Sequence, residues 1–510
     1  MKSKFIKSIS VVFFISIVAK VLGFIKQIVL ANIFGANQST DIFFSSYFFI
    51  IEISTAFFTA LSTALILSYG KAKKNSNVEV NNLFSKCFVN FLLFSIVLFI
   101  ILFFMPNVFA KFIAPGYADV SQFSLYIKYL SPIIVLFYIQ TIYNSILEYE
   151  KKFIPTKTLS LYINLFCMLF AILFAKKYGT MCLIYAVLFA FIIQTIESYF
   201  FTRKYVKINK NFFKKNKEYS KLMKSYVPLF IGSAIAELNS IIDRSIASNL
   251  EQGAVSAITY GASVNEIITV LLIGSVVSVF YPYITHDLLN NNSEKISDKI
   301  KKIMFYMIIF LIPITLIFLL FSNQIVSILY YRGSFDFNAL QNTTAVVFGY
   351  AIGFIPLMIR NILTKVHYAY NDSKSPMFNG IITIIFNITF SIVLSRKIGI
   401  IGIPIASSLS YVLSSVLYFI TIKKHITFDI KKNDIKIAWK TGIILFLTII
   451  YTLTLKKYII ISSNLLYMAL IIFLVTIFYL ILLLVFKIVN LQKIKYYFKG
   501  EKKWKRLLIY

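Results

Sequence analysis

Two lysines stand six residues apart inside an apolar stretch, in Ala19-Lys20-Val21-Leu22-Gly23-Phe24-Ile25-Lys26-Gln27. Ammonium groups in such a setting are suited to binding an anion, a phosphate above all. Asp41, Glu52, Glu237, Asp243, Arg244 and Glu266 also fall within, or at the ends of, long apolar runs. Carboxylates placed there can hold a cation or neutralise a lysine. A charge at membrane depth costs roughly 2.5–3.5 kcal/mol even on the lenient insertion scale, so it is kept where it faces protein or water. Eight such groups against lipid would cost on the order of 20 kcal/mol, more than a typical folding free energy. The chain is therefore expected to enclose a polar cavity inside a membrane, with its function at that cavity.

The elements that must position these groups are legible in the composition. Of 510 residues, 59% are hydrophobic and 14% charged, where a soluble domain has about 45–50% and 25%. Leu465 to Phe486 and Ile303 to Phe321 are unbroken apolar runs, each long enough to cross ~30 Å of hydrocarbon as a helix. Reading all such runs predicts an all-α polytopic membrane protein of about fourteen spans. They fall near 8–34, 42–69, 87–105, 124–148, 157–175, 180–201, 225–249, 256–284, 303–321, 342–369, 377–395, 399–421, 438–455 and 464–486. Lys2, Lys4 and Lys7 before the first run resemble a signal peptide, but no A-x-A-type cleavage site follows, so a retained first helix is expected.

The net charge of +32 sits mostly in alternate loops, such as Arg203, Lys204, Lys207, Lys210, Lys214, Lys215, Lys217, Lys221 and Lys224 after the sixth span. Intervening loops hold few cations, Lys111, Arg332 and Arg396 among them. This positive-inside pattern expects both termini in the cytoplasm and an attraction to anionic membrane lipid, not nucleic acid. Cys87, Cys167 and Cys182 lack metal-ligand spacing and read as small packing residues. His286, His367 and His425 are scattered, so no metal is expected. There is no Walker A loop, G-x-S-x-G elbow or C-x-x-C pair, and loops of about 20–25 residues at most are too short for a catalytic domain, so the chain is not read as an enzyme.

The two sides of the basic loop at 203–224 look related. Tyr149 to Pro155 matches Tyr370 to Pro376 in spacing, and Gly179 to Ala186 recurs as Gly399 to Ala406, both at an offset of 220–221. The expected organisation is an N-terminal six-helix lobe at 1–202, a basic cytoplasmic linker at 203–224, and a second six-helix lobe at 225–425. Two additional transmembrane helices at 426–490 and a basic tail at 491–510 follow. Six spans in the first unit make the repeats parallel, a class whose halves rock about a midplane site. At the same offset Lys20 falls opposite Glu237 and Lys26 near Asp243. The two lysines lie about 240° out of register on an ideal helix, so Gly23 is expected to loosen the first helix and let both face inward. The competing reading is a lysine that snorkels to the interface; for Asp243 and Arg244 it is a local ion pair.

Several stretches resemble the MurJ family of lipid II flippases, within the multidrug/oligosaccharidyl-lipid/polysaccharide (MOP) exporter superfamily. These are Lys20-Val-Leu-Gly23-Phe-Ile-Lys26, Ala31-Asn-Ile-Phe-Gly35-Ala and Ser39-Thr-Asp41-Ile-Phe-Phe44, then Ser256-Ala-Ile-Thr-Tyr260 with Glu266 after it. Tyr331-Arg332-Gly333-Ser-Phe335, His367 to Pro376 and Ile398 to Ala406 continue the match in the expected order. The resemblance implies two six-helix lobes around a cationic cavity, with spans 13 and 14 forming a groove for a lipid tail. It implies alternating access that carries an undecaprenyl-pyrophosphate-linked glycan, lipid II foremost, from the inner to the outer leaflet of a bacterial plasma membrane. It also implies peptidoglycan precursor transport and contact with cell-wall synthesis proteins. Lys20 and Lys26 take the positions of the family's two opening arginines, and Asp41 and Glu266 match acidic positions. With Glu52 they form the expected substrate-binding set. Asp243, Glu237 and Asn387 are the cation-coupling candidates, for Na+ or H+, with the membrane potential as the other energy source; no further cofactor is implied. The chain departs from the family at Glu52, where an arginine pair is usual, and at Tyr260-Gly261-Ala262-Ser263, where an arginine is missing. Lysine keeps the charge of arginine but loses its bidentate fork. Another lipid-linked glycan of O-antigen or capsule type, a cation-coupled drug antiporter and a non-transporting wall-synthesis scaffold are the alternatives the sequence leaves.

Overall fold

A computed structural model describes residues 2–117, 120–210, 216–274, 293–428, 432–459 and 463–488, with 277, 280, 284, 285, 288 and 461. His286, the tail at 491–510 and Lys214 and Lys215 of the linker lie outside the described residues, as do the side chains of Lys2, Lys4 and Lys7. No strand occurs among the described residues. The helices are α1 (Lys2–Phe34), α2 (Gln38–Asn75), α3 (Asn77–Phe104), α4 (Pro106–Ile113), α5 (Ser121–Leu130), α6 (Pro132–Tyr149), α7 (Leu159–Tyr178), α8 (Met181–Thr202) and α9 (Lys217–Ser248). Then come α10 (Ala254–Glu266, continued as a wider π-helix over Ile267–Gly274), α11 (Ser293–Leu320), α12 (Ser322–Tyr330), α13 (Phe337–Ala351) and α14 (Phe354–Ala369). The chain closes with α15 (Lys374–Ile398), α16 (Gly402–Ile422), α17 (Lys432–Tyr458) and α18 (Asn464–Val485).

Twelve stretches among the described residues are long and apolar enough to cross a membrane, or thirteen if α13 and α14, bent by 45°, form one span. The expected fourteen differ from this at one place. Lys374–Ile422 counts as a single stretch of 49 residues, yet it holds two helices of 25 and 21 residues broken at Gly399. Gly399 has φ +69°, a conformation glycine adopts without steric cost. The fourth span is likewise two helices, α5 and α6, joined at Ser131 with Pro132 in the first turn of α6, where its missing N–H costs nothing.

Local chemistry sets the other boundaries. Asn37 closes a capping box at the start of α2: its Oδ1 accepts from Thr40 N at 3.2 Å, and Thr40 Oγ1 accepts from Asn37 N at 2.9 Å. Ser76 caps α3 by accepting from Glu79 N at 3.2 Å, satisfying an amide the helix cannot. The turn after α6 is also built twice. Lys151 and Asn371, 220 residues apart, both have φ +58°. In each turn the next residue donates back to the helix, Lys152 N to Leu147 O at 2.8 Å and Asp372 N to His367 O at 3.0 Å, the pattern of a left-handed helix cap. Gly179 and Gly399, again 220 apart, are both at positive φ.

Contacts divide the chain into two compact units elsewhere than at 203–224. One comprises Met1–Val264, Tyr330–Thr343 and Asn387–Ile403, the other Asn265–Leu329, Thr344–Phe386 and Pro404–Tyr510. The contact division differs from the sequence repeat because α9 packs along α2 and because the start of α10 is tied to the start of α2 by buried hydrogen bonds. In the first unit α2 packs on α5, α6 and α9, α7 on α8, and α1 on α7. Buried polar side chains join these helices: Asn164 donates to Ala19 O at 2.9 Å and Gln140 to Phe191 O at 2.7 Å, as is usual where apolar contact gains little over lipid. Cys87, Cys167 and Cys182 are free and buried. In the second unit α11 carries the core: Ile309, Ile312 and Leu316 meet Ile444, Tyr479, Leu482 and Leu483 of α17 and α18, and Tyr479 donates to Ile309 O at 2.8 Å.

Candidate functional site

The first unit gathers most of the chemistry-bearing residues, at three levels. At the start of α2 lies Asp41, with no exposed surface. Its Oδ1 accepts from Ser256 N at 2.7 Å and Ser256 Oγ at 2.6 Å; its Oδ2 accepts from Gly253 N at 2.7 Å and Tyr117 Oη at 2.8 Å. The two amides belong to the first turn of α10, so Asp41 caps a helix 212 residues further along the chain, where a carboxylate also favours the helix dipole. The expectation that Asp41 lines the cavity is corrected: its oxygens are fully used in a dry clamp. Around it, Tyr260 Oη donates to Gly35 O at 3.0 Å, and Ser334 N donates to Asn32 O at 2.9 Å. Gly253 (φ +87°) has Ala36 O 2.5 Å from where a Cβ would stand. The motif residues at 31–44, 253–260 and 331–335 thus form one knot.

Deeper along the same helices stand Glu52 on α2 and Glu237 and Arg244 on α9. Arg244 Nη1 lies 3.6 Å from Glu52 Oε1, both side chains largely buried. Its guanidinium is 3.8 Å from the centroid of Phe48 and donates to Ser240 O at 3.0 Å. Glu237 stands within electrostatic range of both Glu52 and Arg244. Glu237 and Arg244 are seven residues apart and so share a face of α9, the face packed on α2. One residue before Arg244, Asp243 turns the other way. Ser391 of α15 stands beside it, and the buried oxygens Asp243 Oδ1 and Asn239 Oδ1 have no hydrogen-bond partner among the described residues. Asn387, one helical turn before Ser391, is buried in the same unit. The competing reading of Asp243 and Arg244 as a local ion pair meets a longer reach: Arg244 pairs across to Glu52 while staying within electrostatic range of Asp243.

On α1, Lys20 is exposed and Lys26 half-buried, and Cys167 of α7 lies within electrostatic range of Lys26. Gly23 does not break the helix, which runs unbroken from Lys2 to Phe34. It makes room for Asn164, whose Nδ2 lies 3.2 Å from the place of a Cβ. The hinge expected there is therefore a packing contact with α7.

In the second unit, Glu266 is exposed at the end of α10. Two cations here were missed by the sequence reading. Arg360 and Lys365 lie on α14, the guanidinium 5.7 Å from the Tyr411 ring and the ammonium 5.8 Å from the Tyr368 ring. Both sit in the apolar run at 342–369, so the signal that singled out Lys20 would have found them. Outside the spans, Asp372 pairs with His425 Nε2 at 3.0 Å and accepts from Ser375 N at 3.0 Å. Partial burial alone would raise its carboxyl, but the Ser375 and His425 bonds outweigh it and hold it well below the usual carboxylate range. Among the described residues no group of three His, Cys, Asp or Glu could hold a metal ion.

Comparison with known proteins agrees with this geometry. The family model for lipid II flippase MurJ matches residues 30–479. A probable lipid II flippase MurJ of Rickettsia prowazekii is 25% identical over 427 residues, covering 81% of this chain and 83% of the relative. One of Helicobacter pylori is 25% identical over 431 residues, covering 77% and 89%. Among solved structures, a lipid II flippase MurJ in an inward closed conformation superposes with a TM-score of 0.79 at 22% identity, over 93% of this chain and 98% of that one. An inward-facing multidrug-resistance MATE transporter of the MOP superfamily gives 0.65 at 13% identity, over 80% and 94%.

Proposed function

Because this chain belongs to the lipid II flippase MurJ family, we propose that it moves an undecaprenyl-pyrophosphate-linked glycan from the inner to the outer leaflet of a bacterial plasma membrane. Lipid II, the peptidoglycan precursor, is the first cargo to test. The observation that carries this reading is the family match from α1 to α18. The protein is a multi-pass transporter with both termini in the cytoplasm, as the basic loops require. It works by alternating access of the two repeats at 1–202 and 225–425, with α17 and α18 taking the lipid tail.

Lys20 and Lys26 neutralise the pyrophosphate. Two ammonium groups in a site of low dielectric bind such a group far more strongly than they would in water. In place of the arginine pair that the family usually carries in span 2, one arginine stands across the helix pair, Arg244 held beside Glu52. A coupling cation fits the donors around Asp243. One carboxylate, the amides Asn239 and Asn387 and the hydroxyl of Ser391 are all hard oxygen ligands, and Asp243 Oδ1, Asn239 Oδ1 and Ser391 Oγ are buried without a hydrogen bond among the described residues. Such a cation would neutralise Asp243 and tie α9 to α15.

The test is complementation of a flippase-depleted strain, reading lipid II accessibility at the outer leaflet. The chain should restore growth, and Lys20→Ala with Lys26→Ala should abolish rescue at unchanged membrane levels. Full rescue by the double variant would sink the role of the lysines. Failure of the unaltered chain to expose lipid II would sink the cargo.

A further inference from the structure

The apolar run at 342–369 folds as two helices, α13 and α14, that meet at 45°. Its residues explain the break. Pro356 offers no N–H to Ile352 O. Gly353 N turns back to Tyr350 O at 2.9 Å, three residues away instead of four, so Gly349 O loses the amide that a continuous helix would give it. In hydrocarbon an unmade backbone bond is costly, and a broken span needs a replacement donor from its neighbours. α16 supplies two hydroxyls. Ser408 Oγ donates to Gly349 O at 2.7 Å, before the break, and Ser415 Oγ, two turns on, donates to Pro356 O at 2.8 Å, after it. Glycine lets α16 come this near. A Cβ on Gly349 would stand 2.7 Å from Pro404 Cγ, and one on Gly353 would stand 2.7 Å from Ser408 Oγ and 2.9 Å from Tyr411 Cδ2. The Tyr411 ring that fills the space at Gly353 also lies 5.7 Å from the Arg360 guanidinium. A change of angle at Gly353 therefore unseats that guanidinium.

We propose that 351–354 is a hinge of this transporter, held bent by the Ser408 hydroxyl, and that its angle sets where Arg360 stands. Both ends of the motion satisfy the same groups. Bent, Ser408 holds Gly349 O and Gly353 N holds Tyr350 O. Straight, Gly353 N returns to Gly349 O, and the Ser408 hydroxyl turns to a carbonyl of its own helix, as Ser410 Oγ does with Ala406 O at 2.7 Å. No buried group is orphaned in either form, which is what makes the span bistable and not merely kinked. Arg360 lies seven residues past Gly353, ~10 Å along α14. Full straightening from 45° would therefore carry it about 8 Å relative to α13. A cation kept inside a span is functional by default, and a shift of that size brings it to an anion or takes it away. The coupling of the hinge to cargo, though not the hinge itself, rests on the transport reading above.

Two measurements test it. Spin labels at Asn338 and Tyr368, exposed positions on α13 and α14, report the angle as a distance in the full chain in lipid nanodiscs. With arms of ~21 and ~22 Å at ~1.5 Å per residue, straightening should lengthen that distance by about 3 Å. Ser408→Ala should raise the long-distance population over the short one about fivefold, the contribution of one buried hydrogen bond. Pro356→Ala restores an amide to Ile352 O and should shift the distribution the same way. A distribution unmoved in both variants overturns the hinge, and should one variant not fold, the other decides alone. In vesicles carrying undecaprenyl-pyrophosphate-linked glycan, both variants should slow transfer several-fold. The wild-type rate in a variant whose distance has shifted would overturn the coupling. Wild-type vesicles that move no glycan would refute the transport reading while the labels still decide the hinge.

Discussion

Replacing Asp41 asks whether this residue is a clamp or a ligand for cargo. In Asp41→Ala four donors lose their acceptor. The Ser256 hydroxyl can fall back on Thr40 Oγ1, 2.8 Å away, and the Tyr117 hydroxyl can turn toward water. The amides of Gly253 and Ser256 cannot move without unwinding α10. At about 1–3 kcal/mol for each buried donor left unmade, the two cost about 2–6 kcal/mol, a large share of a typical 5–15 kcal/mol stability. Asp41→Asn preserves the shape but sets an NH2 group against one of those amides, so about half of that loss is expected. Tyr117→Phe removes one charge-assisted bond, worth about 1.5–3 kcal/mol. The assay is thermal or denaturant unfolding of the purified chain in one detergent. The expected order of stability is wild type, then Tyr117→Phe and Asp41→Asn, then Asp41→Ala. If Asp41→Ala and Asp41→Asn melt with the wild type while complementation is lost, the clamp is refuted and Asp41 acts on cargo.

Three further perturbations follow. Gly253→Ala places a methyl 2.5 Å from Ala36 O at φ +87°, so a destabilisation of about 1–3 kcal/mol is expected, read from the same unfolding curves; an unchanged midpoint would refute the close approach. Gly23→Val should drive Asn164 away from Ala19 O and lower stability by about 1–3 kcal/mol, whereas a pure hinge would lose transport and keep its midpoint. Asp372 has its carboxyl depressed in the folded chain, so its contribution is complete above the ordinary carboxylate value of about 3.9 and fades as pH falls toward the folded value. Asp372→Asn should therefore be less stable than wild type at neutral pH and converge with it in acid; a gap that stays constant down to pH about 3 would contradict this.

Much of this protein was readable before any coordinates. Runs such as 303–321 and 464–486 became α11 and α18 because a helix in lipid must satisfy its own backbone, so apolar length alone predicts a span. The repeat was readable too, since the left-handed turn at Lys151 and Asn371 and the glycine at Gly179 and Gly399 need particular residues at fixed spacing. The break at Gly399 belongs to the same class. Arg360 and Lys365 were equally legible as cations in an apolar run and were passed over.

The partnerships were not legible, because a side chain's role depends on which distant group it meets. Asp41 and Glu52 are both acidic residues of one helix, yet one is sealed among four hydrogen-bond donors while the other lies beside Arg244. Nothing in the spacing of 41, 52, 237, 244 and 253 along the chain encodes that choice. Hydrophobicity is a local property, and it set the spans and the charges they must tolerate. Burial, hydrogen-bond satisfaction and charge compensation are pairwise, and only the packing of α2 on α9 and α10 determined which carboxylate became a helix cap and which came to lie beside Arg244.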